Sequence, residues 1–295
     1  MISVNDISKV GIGTWGIAGY LHFDSSVDTN QQLDALKLSF DLGANYIDCS
    51  LKYADGASLD VVRELINYAG RGNVFISAKL EQFIEKPEDV STQLEQYLKI
   101  LAIDTVDSLQ LHAPSFTKIG ITNTYREINK LIEGGKVRYA AASNFNVEQL
   151  EEAIEGCGEN FVLHESLFNF TFRQNQDAGI LDFCVQNDVK FIAYQPLHRG
   201  KTEAAETPLL SELSKKYNTS KSVIILNWLI AKGIVPLIRS DNPEHIRQNI
   251  NASNFTMEQS DYELIDNYRD PVLSKMAVDW SDSGSGNSIY QIANK

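Results

Sequence analysis

Hydrophobic residues along the chain follow two alternating patterns. Short apolar stretches rich in β-branched residues are separated by longer segments in which apolar positions recur every three or four residues. Stretches of the first kind predict buried β-strands, and segments of the second kind predict amphipathic helices. Eight strand-like stretches are present: VGIGTW, YIDC, VFISAK, VDSLQLH, VRYAAAS, FVLHES, VKFIAYQPL and IVPLIRS.

The segments between these stretches carry the signals of helix starts and stops. In QQLDALKLSFDLG, Leu33, Leu36 and Phe40 form one apolar row before the glycine that ends the segment. In SDNPEHIRQNI, Asn242 is a candidate N-cap, and Pro243 suits the first helical position. Strand and helix therefore alternate along the chain.

This alternation predicts one α/β domain over residues 1–295, because no linker or change in composition interrupts it. Eight strand–helix units close naturally into a (β/α)8 TIM barrel, here with a short N-terminal lead-in. A doubly wound sheet is the competing arrangement. It requires a glycine-rich phosphate loop after its first strand, and GIGTWG lacks the GxGxxG spacing. The polar segment 272–295 is expected to form a C-terminal loop over the barrel mouth or a disordered end.

Composition narrows the classes of partner. The chain has 295 residues, 43% of them hydrophobic, and a net charge of −13, which argues against nucleic-acid binding. No long apolar run and no signal-peptide pattern are present, so neither a membrane partner nor export is expected. The three cysteines show no CxxC spacing, which predicts neither disulfides nor a metal site and fits a cytoplasmic location. The sequence indicates no oligomeric state.

Polar residues stand at or near the ends of seven of the predicted strands. Active sites of (β/α)8 barrels collect at the carboxyl ends of the strands, so these side chains are expected on one rim. A single ionisable residue at a strand end is ordinary, whereas a series on one rim favours a functional site. The residues are Asp48, Lys79, His112, Ser143, Asn144, Glu165, Tyr194 and Arg239.

Four residues form a chemical unit. A tyrosine phenol has a pKa near ~10 and exchanges protons poorly at neutral pH unless its anion is stabilised. Lys79 is expected beside Tyr53, and Asp48 is expected to keep that lysine charged. His112 would donate a hydrogen bond to a substrate oxygen. The alternative is an ordinary surface tyrosine and a structural ion pair, which would require four coincidences.

These four residues, in this order, resemble the catalytic tetrad of the aldo-keto reductase family. The resemblance extends over nearly the whole chain, through GIGTWG, GANYIDCSLKYADG, FISAKL, LQLHAP, GGKVRYAAASNF, IAYQPL and RSDNPEHIRQN. It implies a (β/α)8 barrel that binds a nicotinamide cofactor without a Rossmann domain. The implied reaction is the reduction of an aldehyde or ketone to an alcohol, so the expected partner is a small carbonyl or alcohol substrate.

The resemblance also implies the role of each site residue. Tyr53 would be the general acid, Lys79 and Asp48 would tune it, and His112 would position the carbonyl. Trp15 is, independently of the resemblance, a candidate wall of an apolar substrate pocket, with an ordinary core position as the alternative. Cofactor contacts are expected for twelve residues, some of which depart from the family pattern: Ser143, Asn144, Glu165, Tyr194, Gln195, Leu197, Arg199, Arg239, Ser240, His245, Gln248 and Asn249. NADP(H) is preferred, with NAD(H) as the alternative, because arginine is the usual reader of the 2′-phosphate.

The chain departs from the family pattern at two cofactor positions, and two other functions stay open. Glu165 stands where a glutamine often holds the carboxamide, and His245 replaces an arginine that many members use on the 2′-phosphate. One alternative is an aldolase-like barrel with Lys79 as a Schiff-base lysine, against which Asp48 argues by stabilising the ammonium. The other is an NADPH-binding regulatory subunit with little turnover. The intact tetrad favours an enzyme.

Overall fold

A closed barrel of eight parallel strands forms the centre of the protein. The computed structural model describes residues 1–204 and 207–269. Each strand pairs with its sequence neighbours, and the first also pairs with the last, which closes the barrel. The strands are β1 (Gly11–Ile12), β2 (Tyr46–Cys49), β3 (Phe75–Leu80), β4 (Val106–Leu111), β5 (Val137–Ser143), β6 (Phe161–Leu167), β7 (Lys190–Tyr194) and β8 (Val235–Ile238). The predicted (β/α)8 barrel is confirmed, and the doubly wound alternative is wrong.

Helices connect the strands, with extra short ones in the later connections. They are α1 (Thr29–Asp41), α2 (Ala57–Ala69), α3 (Glu88–Leu101), α4 (Ile121–Glu133), α5 (Val147–Cys157), α6 (Gln174–Asp177), α7 (Ile180–Gln186), α8 (Lys201–Ala204), α9 (Pro208–Tyr217), α10 (Lys221–Ala231), α11 (Pro243–Ile250) and α12 (Gln259–Asn267). Helix α11 starts as predicted, because the Asn242 side chain caps it by accepting from Glu244 N at 2.9 Å.

Helix α1 forms where the sequence predicts it, and its buried face includes Leu36 of the predicted apolar row together with a polar residue, Gln32. Leu33 and Phe40 are only partly buried, whereas Gln32 is buried. The reason is a polar contact with the loop after β1. The Gln32 side-chain amide donates to Gly16 O at 3.1 Å and accepts from Ala18 N at 2.8 Å. These hydrogen bonds satisfy buried backbone groups, which explains why a polar residue of α1 is buried.

The barrel interior is apolar at its amino end. Tyr46 and Phe75 stack there with ring centroids 5.6 Å apart, together with Leu163 and Ile192. The N-terminal lead-in packs against this layer through Ile7 and neighbouring residues. Side chains alternate between the two faces of a strand, so Asp48 also points into the barrel, two residues beyond Tyr46. The polar end of the barrel is therefore the carboxyl end.

The predicted C-terminal loop, residues 272–295, lies outside the described residues. None of the described helices has the length and apolar composition that a membrane crossing requires. The three cysteines, Cys49, Cys157 and Cys184, are free and buried.

Candidate active site

A buried hydrogen-bonded network lies at the carboxyl end of β2 and β3. The Lys79 ammonium is 2.7 Å from Asp48 Oδ1 and donates to Tyr53 Oη at 3.0 Å. The Tyr53 hydroxyl also lies 3.3 Å from Asp48 Oδ2. Asp48 and Lys79 meet because β2 and β3 are adjacent and parallel, with Asp48 opposite Ser77. Both charged side chains are almost completely buried, so they interact with little screening by water.

A tight turn returns Tyr53 to the mouth of the barrel. Tyr53 begins a 3-10 segment, and the next two residues, Ala54 and Asp55, have φ values of +52° and +54°. This left-handed backbone is unusual for residues other than glycine, and it is held by contacts with the loop after β1. Ala54 N donates to Tyr20 O at 2.6 Å, and Asp55 N donates to Leu21 O at 3.0 Å. The two loops are thus fastened to each other over the mouth.

Glu165 is a second carboxylate that contacts the Lys79 ammonium. Glu165 Oε1 accepts from Lys79 Nζ at 2.8 Å, and Glu165 Oε2 accepts from Gln110 Nε2 at 3.2 Å. Burial, reinforced by the nearby charge of Asp48, raises the pKa of Glu165 to about 7. The sequence placed Glu165 at the cofactor carboxamide. In the structure both of its oxygens are occupied by the protein's own side chains, and the contact with Lys79 is one that sequence reasoning missed.

The histidine beside Glu165 lies on the other face of β6. His164 packs against Phe191, with ring centroids 5.5 Å apart, and burial lowers its pKa to about 3. Adjacent residues of a strand point to opposite faces, so His164 and Glu165 cannot converge on one ligand. Within residues 1–204 and 207–269, no group of three or more His, Cys, Asp or Glu side chains is placed to hold a metal ion.

His112 follows β4 and borders the same network. Burial, and then the positive charges of Lys79 and Lys52, hold its pKa well below the usual range. The imidazole is therefore neutral at neutral pH, so that one ring nitrogen carries a proton and the other is an acceptor. The backbone oxygen of His112 accepts from Asn144 Nδ2 at 3.1 Å, which links the histidine to the end of β5.

Asn144 and Tyr194 form a second polar group on the opposite side of the mouth. The Tyr194 hydroxyl donates to Asn144 Oδ1 at 2.8 Å, and Asn144 Nδ2 lies 3.0 Å from Ser143 Oγ. Asn144 has a left-handed backbone with φ of +62°, fixed by its N–H donating to Glu165 O at 3.0 Å. Ser143 is completely buried, and its hydroxyl contacts the Asn144 side chain.

One cavity of about 980 Å³ brings nearly all of the predicted residues together. Its lining includes the four tetrad residues, Trp15 and every predicted cofactor residue except Ser143. The indole of Trp15 stands edge-on to the ring of Tyr53, with centroids 5.0 Å apart. A cavity of this size, apolar with a few convergent polar groups, is typical of a small-molecule site.

The loop after β7 contributes one wall of this cavity. Gln195, His198 and Arg199 all have left-handed φ values, between +47° and +54°. Such strain persists where the surrounding structure holds it, and it is common at ligand sites. Arg199 lines the cavity, whereas His198 turns away and packs edge-on against Phe172, with centroids 5.1 Å apart.

Comparison with known proteins identifies the family. The model of the aldo/keto reductase family matches residues 9–270. The chain belongs to the aldo-keto reductase family. The predicted resemblance is therefore confirmed.

Similar proteins span most of the length of this aldo-keto reductase. Aldo-keto reductase family 1 member C18 of Rattus norvegicus is 25% identical, covering 89% of this chain and 88% of that protein. The NADPH-dependent alpha-keto amide reductase of Saccharomyces cerevisiae is 29% identical over 65% of each chain. The thermostable aldo-keto reductase Tm1743, in its crystal structure with the inhibitor epalrestat, is 30% identical in sequence to this chain. It matches with a TM-score of 0.80, covering 88% of this chain and 94% of the other.

In this aldo-keto reductase several of the predicted cofactor residues lie in α11 or in the loop before it. Arg239 lines the cavity and pairs with Asp241 at 2.8 Å, while its buried Nε has no hydrogen-bond partner among the described residues. Ser240 and His245 border the cavity beside it. Gln248 lines the cavity as well, and its amide donates to Glu244 at 3.0 Å. Both acidic residues reduce the positive potential at this end.

Proposed function

We propose that this enzyme catalyses the NADPH-dependent reduction of an aldehyde or ketone to an alcohol, and the reverse oxidation, with Tyr53 as the proton donor. The observation that carries the proposal is the Tyr53 hydroxyl, which lies on the cavity wall 3.0 Å from a buried ammonium. Membership of a family of reductases supports the reaction class, and a relative named as NADPH-dependent supports the cofactor.

The network around Tyr53 is suited to releasing a proton. Reduction places negative charge on the carbonyl oxygen, and the Tyr53 hydroxyl can donate its proton there. The phenolate that remains would lie against the Lys79 ammonium, whose charge stabilises it. Asp48, 2.7 Å from that ammonium, keeps the lysine protonated and fixes its direction. The groups are in place before the reaction, so little reorganisation is needed.

His112 has a different task because its imidazole is neutral. A neutral imidazole is a poor acid, but its N–H can donate a hydrogen bond to the substrate oxygen. The histidine would thus orient the carbonyl toward Tyr53, as a positioning group within the cavity rather than a source of protons.

The other half of the cavity fits a nicotinamide dinucleotide phosphate. The buried Nε of Arg239, without a hydrogen bond among the described residues, is suited to an anion beside it. Asn144 and Tyr194 offer amide and aromatic surfaces near the tetrad, and Arg199 lines the cavity as well. The bound cofactor would supply the hydride. Asn144 and Tyr194 would hold its nicotinamide end near the tetrad.

The Schiff-base alternative fits the structure poorly. A nucleophilic lysine must lose its proton, which requires a desolvated site without stabilising anions. Lys79 is buried, yet carboxylates stand 2.7 and 2.8 Å from its ammonium. These two anions favour the charged form of Lys79, so the amine keeps its proton and is a poor nucleophile.

The proposal is tested by following the absorbance of NADPH with a panel of aldehydes, ketones and aldoses. Consumption of NADPH with formation of the matching alcohol supports it. NADPH binding without oxidation for every member of the panel would instead favour the regulatory subunit.

Substitution of Arg239 is expected to change the affinity for NADPH much more than the affinity for NADH. Arg239→Gln should weaken NADPH binding by about 10- to 100-fold, because a hydrogen bond between charged groups is lost. NADH lacks the 2′-phosphate, so its affinity should change little. Titration of protein fluorescence with each cofactor measures both values. Arg247→Gln, on the helix α11 that follows this loop but outside the cavity lining, is the control. Equal weakening of both cofactors would show that Arg239 does not read the 2′-phosphate.

Protonation of Glu165 should influence the rate near neutral pH. The pKa of Glu165 is raised to about 7, so the carboxyl is neutral below that pH and adds a negative charge above it. That charge opposes the Tyr53 phenolate, and the reduction rate should therefore fall as pH rises through about 7. Glu165→Gln should remove this inflection from the profile of kcat against pH, because the amide stays neutral. An unchanged inflection in the variant would assign it to another group.

We infer a single domain from the continuous barrel of the described residues, and a cytoplasmic location from the free, buried cysteines.

A further inference from the structure

The part of the cavity beyond the tetrad is walled by aromatic and aliphatic side chains and contains one further cation. These lining residues are Trp15, Tyr20, Leu21, Lys52, Phe83 and Phe116. Three of them expose more than half of their surface: Tyr20 is 61%, Leu21 52% and Phe83 54% exposed. Exposed apolar surface that borders a cavity commonly marks the area a ligand covers. This wall suits an apolar or aromatic substrate body.

Lys52 differs from the neighbouring Lys79 in its partners. Whereas Lys79 is held by two carboxylates, the Lys52 ammonium forms no ion pair with any described residue. It stands 4.4 Å from the centroid of the Phe116 ring, in a cation–π contact. Its exposed side chain is therefore held in place by an aromatic face while its charge is left for a ligand.

The backbone of Lys52 is fixed firmly beside the catalytic tyrosine. Lys52 N donates to Glu81 Oε2 at 3.2 Å and to Ser50 Oγ at 3.1 Å. Glu81 is itself buried and accepts from the Tyr97 hydroxyl at 3.3 Å. This anchoring keeps the start of the Lys52 side chain at the cavity rim next to Tyr53.

The position of Phe116 sets the separation between this cation and the reacting centre. The Phe116 centroid is 6.2 Å from the centroid of the His112 ring. Phe116 thus lies close to both the ammonium and the imidazole. After burial and the charge of Lys79, the charge of Lys52 also lowers the pKa of His112, in keeping with this proximity. An anionic group on Lys52 and a carbonyl at Tyr53 would therefore bind within the same cavity.

We propose that Lys52 binds a carboxylate of the substrate, so that the enzyme prefers carbonyl compounds that carry an acidic group on an apolar or aromatic body. This inference rests on the proposed reductase function and assigns the substrate class. The net charge of −13 makes such a local cation significant, because the protein as a whole repels anions. In this arrangement the substrate carboxylate binds Lys52, and the substrate carbonyl binds Tyr53 and His112.

The test compares acid and ester forms of the same aldehydes. The probes are 2-, 3- and 4-carboxybenzaldehyde and their methyl esters, with wild type, Lys52→Met and Lys37→Met. Lys37 is a matched control, since its ammonium also lies over an aromatic ring, that of Tyr68, outside the cavity. For at least one acid, Lys52→Met should lower kcat/KM by about tenfold through KM, a size expected for a charge-assisted hydrogen bond. The esters and the Lys37→Met variant should change little.

Two further results separate the inference from the reductase proposal. Binding of the carboxybenzaldehydes to the NADPH-loaded protein, followed by tryptophan fluorescence, does not require turnover. Binding that depends on Lys52 without any reduction would retain the carboxylate site and reject the reaction. Equal losses for acid and ester in Lys52→Met, or no loss for any acid, would overturn the inference.

Discussion

Tyr53→Phe is expected to lower kcat for carbonyl reduction by about a thousandfold, the size typical for loss of a positioned general acid. The change removes one hydroxyl and leaves the ring packed against Trp15. The Lys79 ammonium keeps Asp48 and Glu165 as partners, so the network should remain charged and folded. NADPH affinity should change little, because the substituted atom faces the substrate side.

The comparison is made by steady-state kinetics and NADPH titration on the same preparations. Tyr68→Phe is the matched control, because it removes a phenol that donates to Asp41 on the surface, far from the cavity. A Tyr53→Phe enzyme with the wild-type rate would mean that the proton comes from another group.

Lys79→Met is expected to abolish most activity and to destabilise the fold. Asp48 and Glu165 would then face each other in a buried site without their cation, which typically costs about 3–5 kcal/mol of unfolding free energy. The loss in kcat should approach that of Tyr53→Phe, because the phenolate loses its stabilising charge. Chemical denaturation and steady-state kinetics measure the two effects.

A double variant separates these effects. Lys79→Met with Glu165→Gln removes one of the two unpaired charges, so it should recover part of the stability but none of the rate. The destabilisation by Lys79→Met should also be smaller at pH 5 than at pH 8, because the carboxyl groups then take up protons. For wild type, the raised pKa of Glu165 adds stability at low pH. This stability is lost as pH rises from the unfolded value near 4.5 through about 7. Equal destabilisation at both pH values would contradict the two-carboxylate arrangement.

The sequence predicts the barrel well because both faces of its strands are buried. Such strands appear as continuous apolar runs, and every one of the eight runs contains a strand. The face of α1 is less predictable, because the burial of Gln32 depends on backbone groups of Gly16 and Ala18 that only the folded loop presents.

Contacts within the candidate site also differ in how far the sequence predicts them. Asp48 and Lys79 lie on adjacent strands, so their contact follows from strand order. Glu165 reaches Lys79 across the barrel interior from β6, which is not a neighbour of β3, and no local pattern signals this contact. The position of Lys52 beside Phe116 likewise depends on two loops that follow different strands.

The most direct test of the central claim is to supply NADPH that carries deuterium in the transferable position and to analyse the product of an accepted aldehyde by mass spectrometry. The account predicts an alcohol with one deuterium on the former carbonyl carbon, formed by wild type and nearly absent with Tyr53→Phe. An unlabelled product, or a covalent adduct on Lys79, would contradict it.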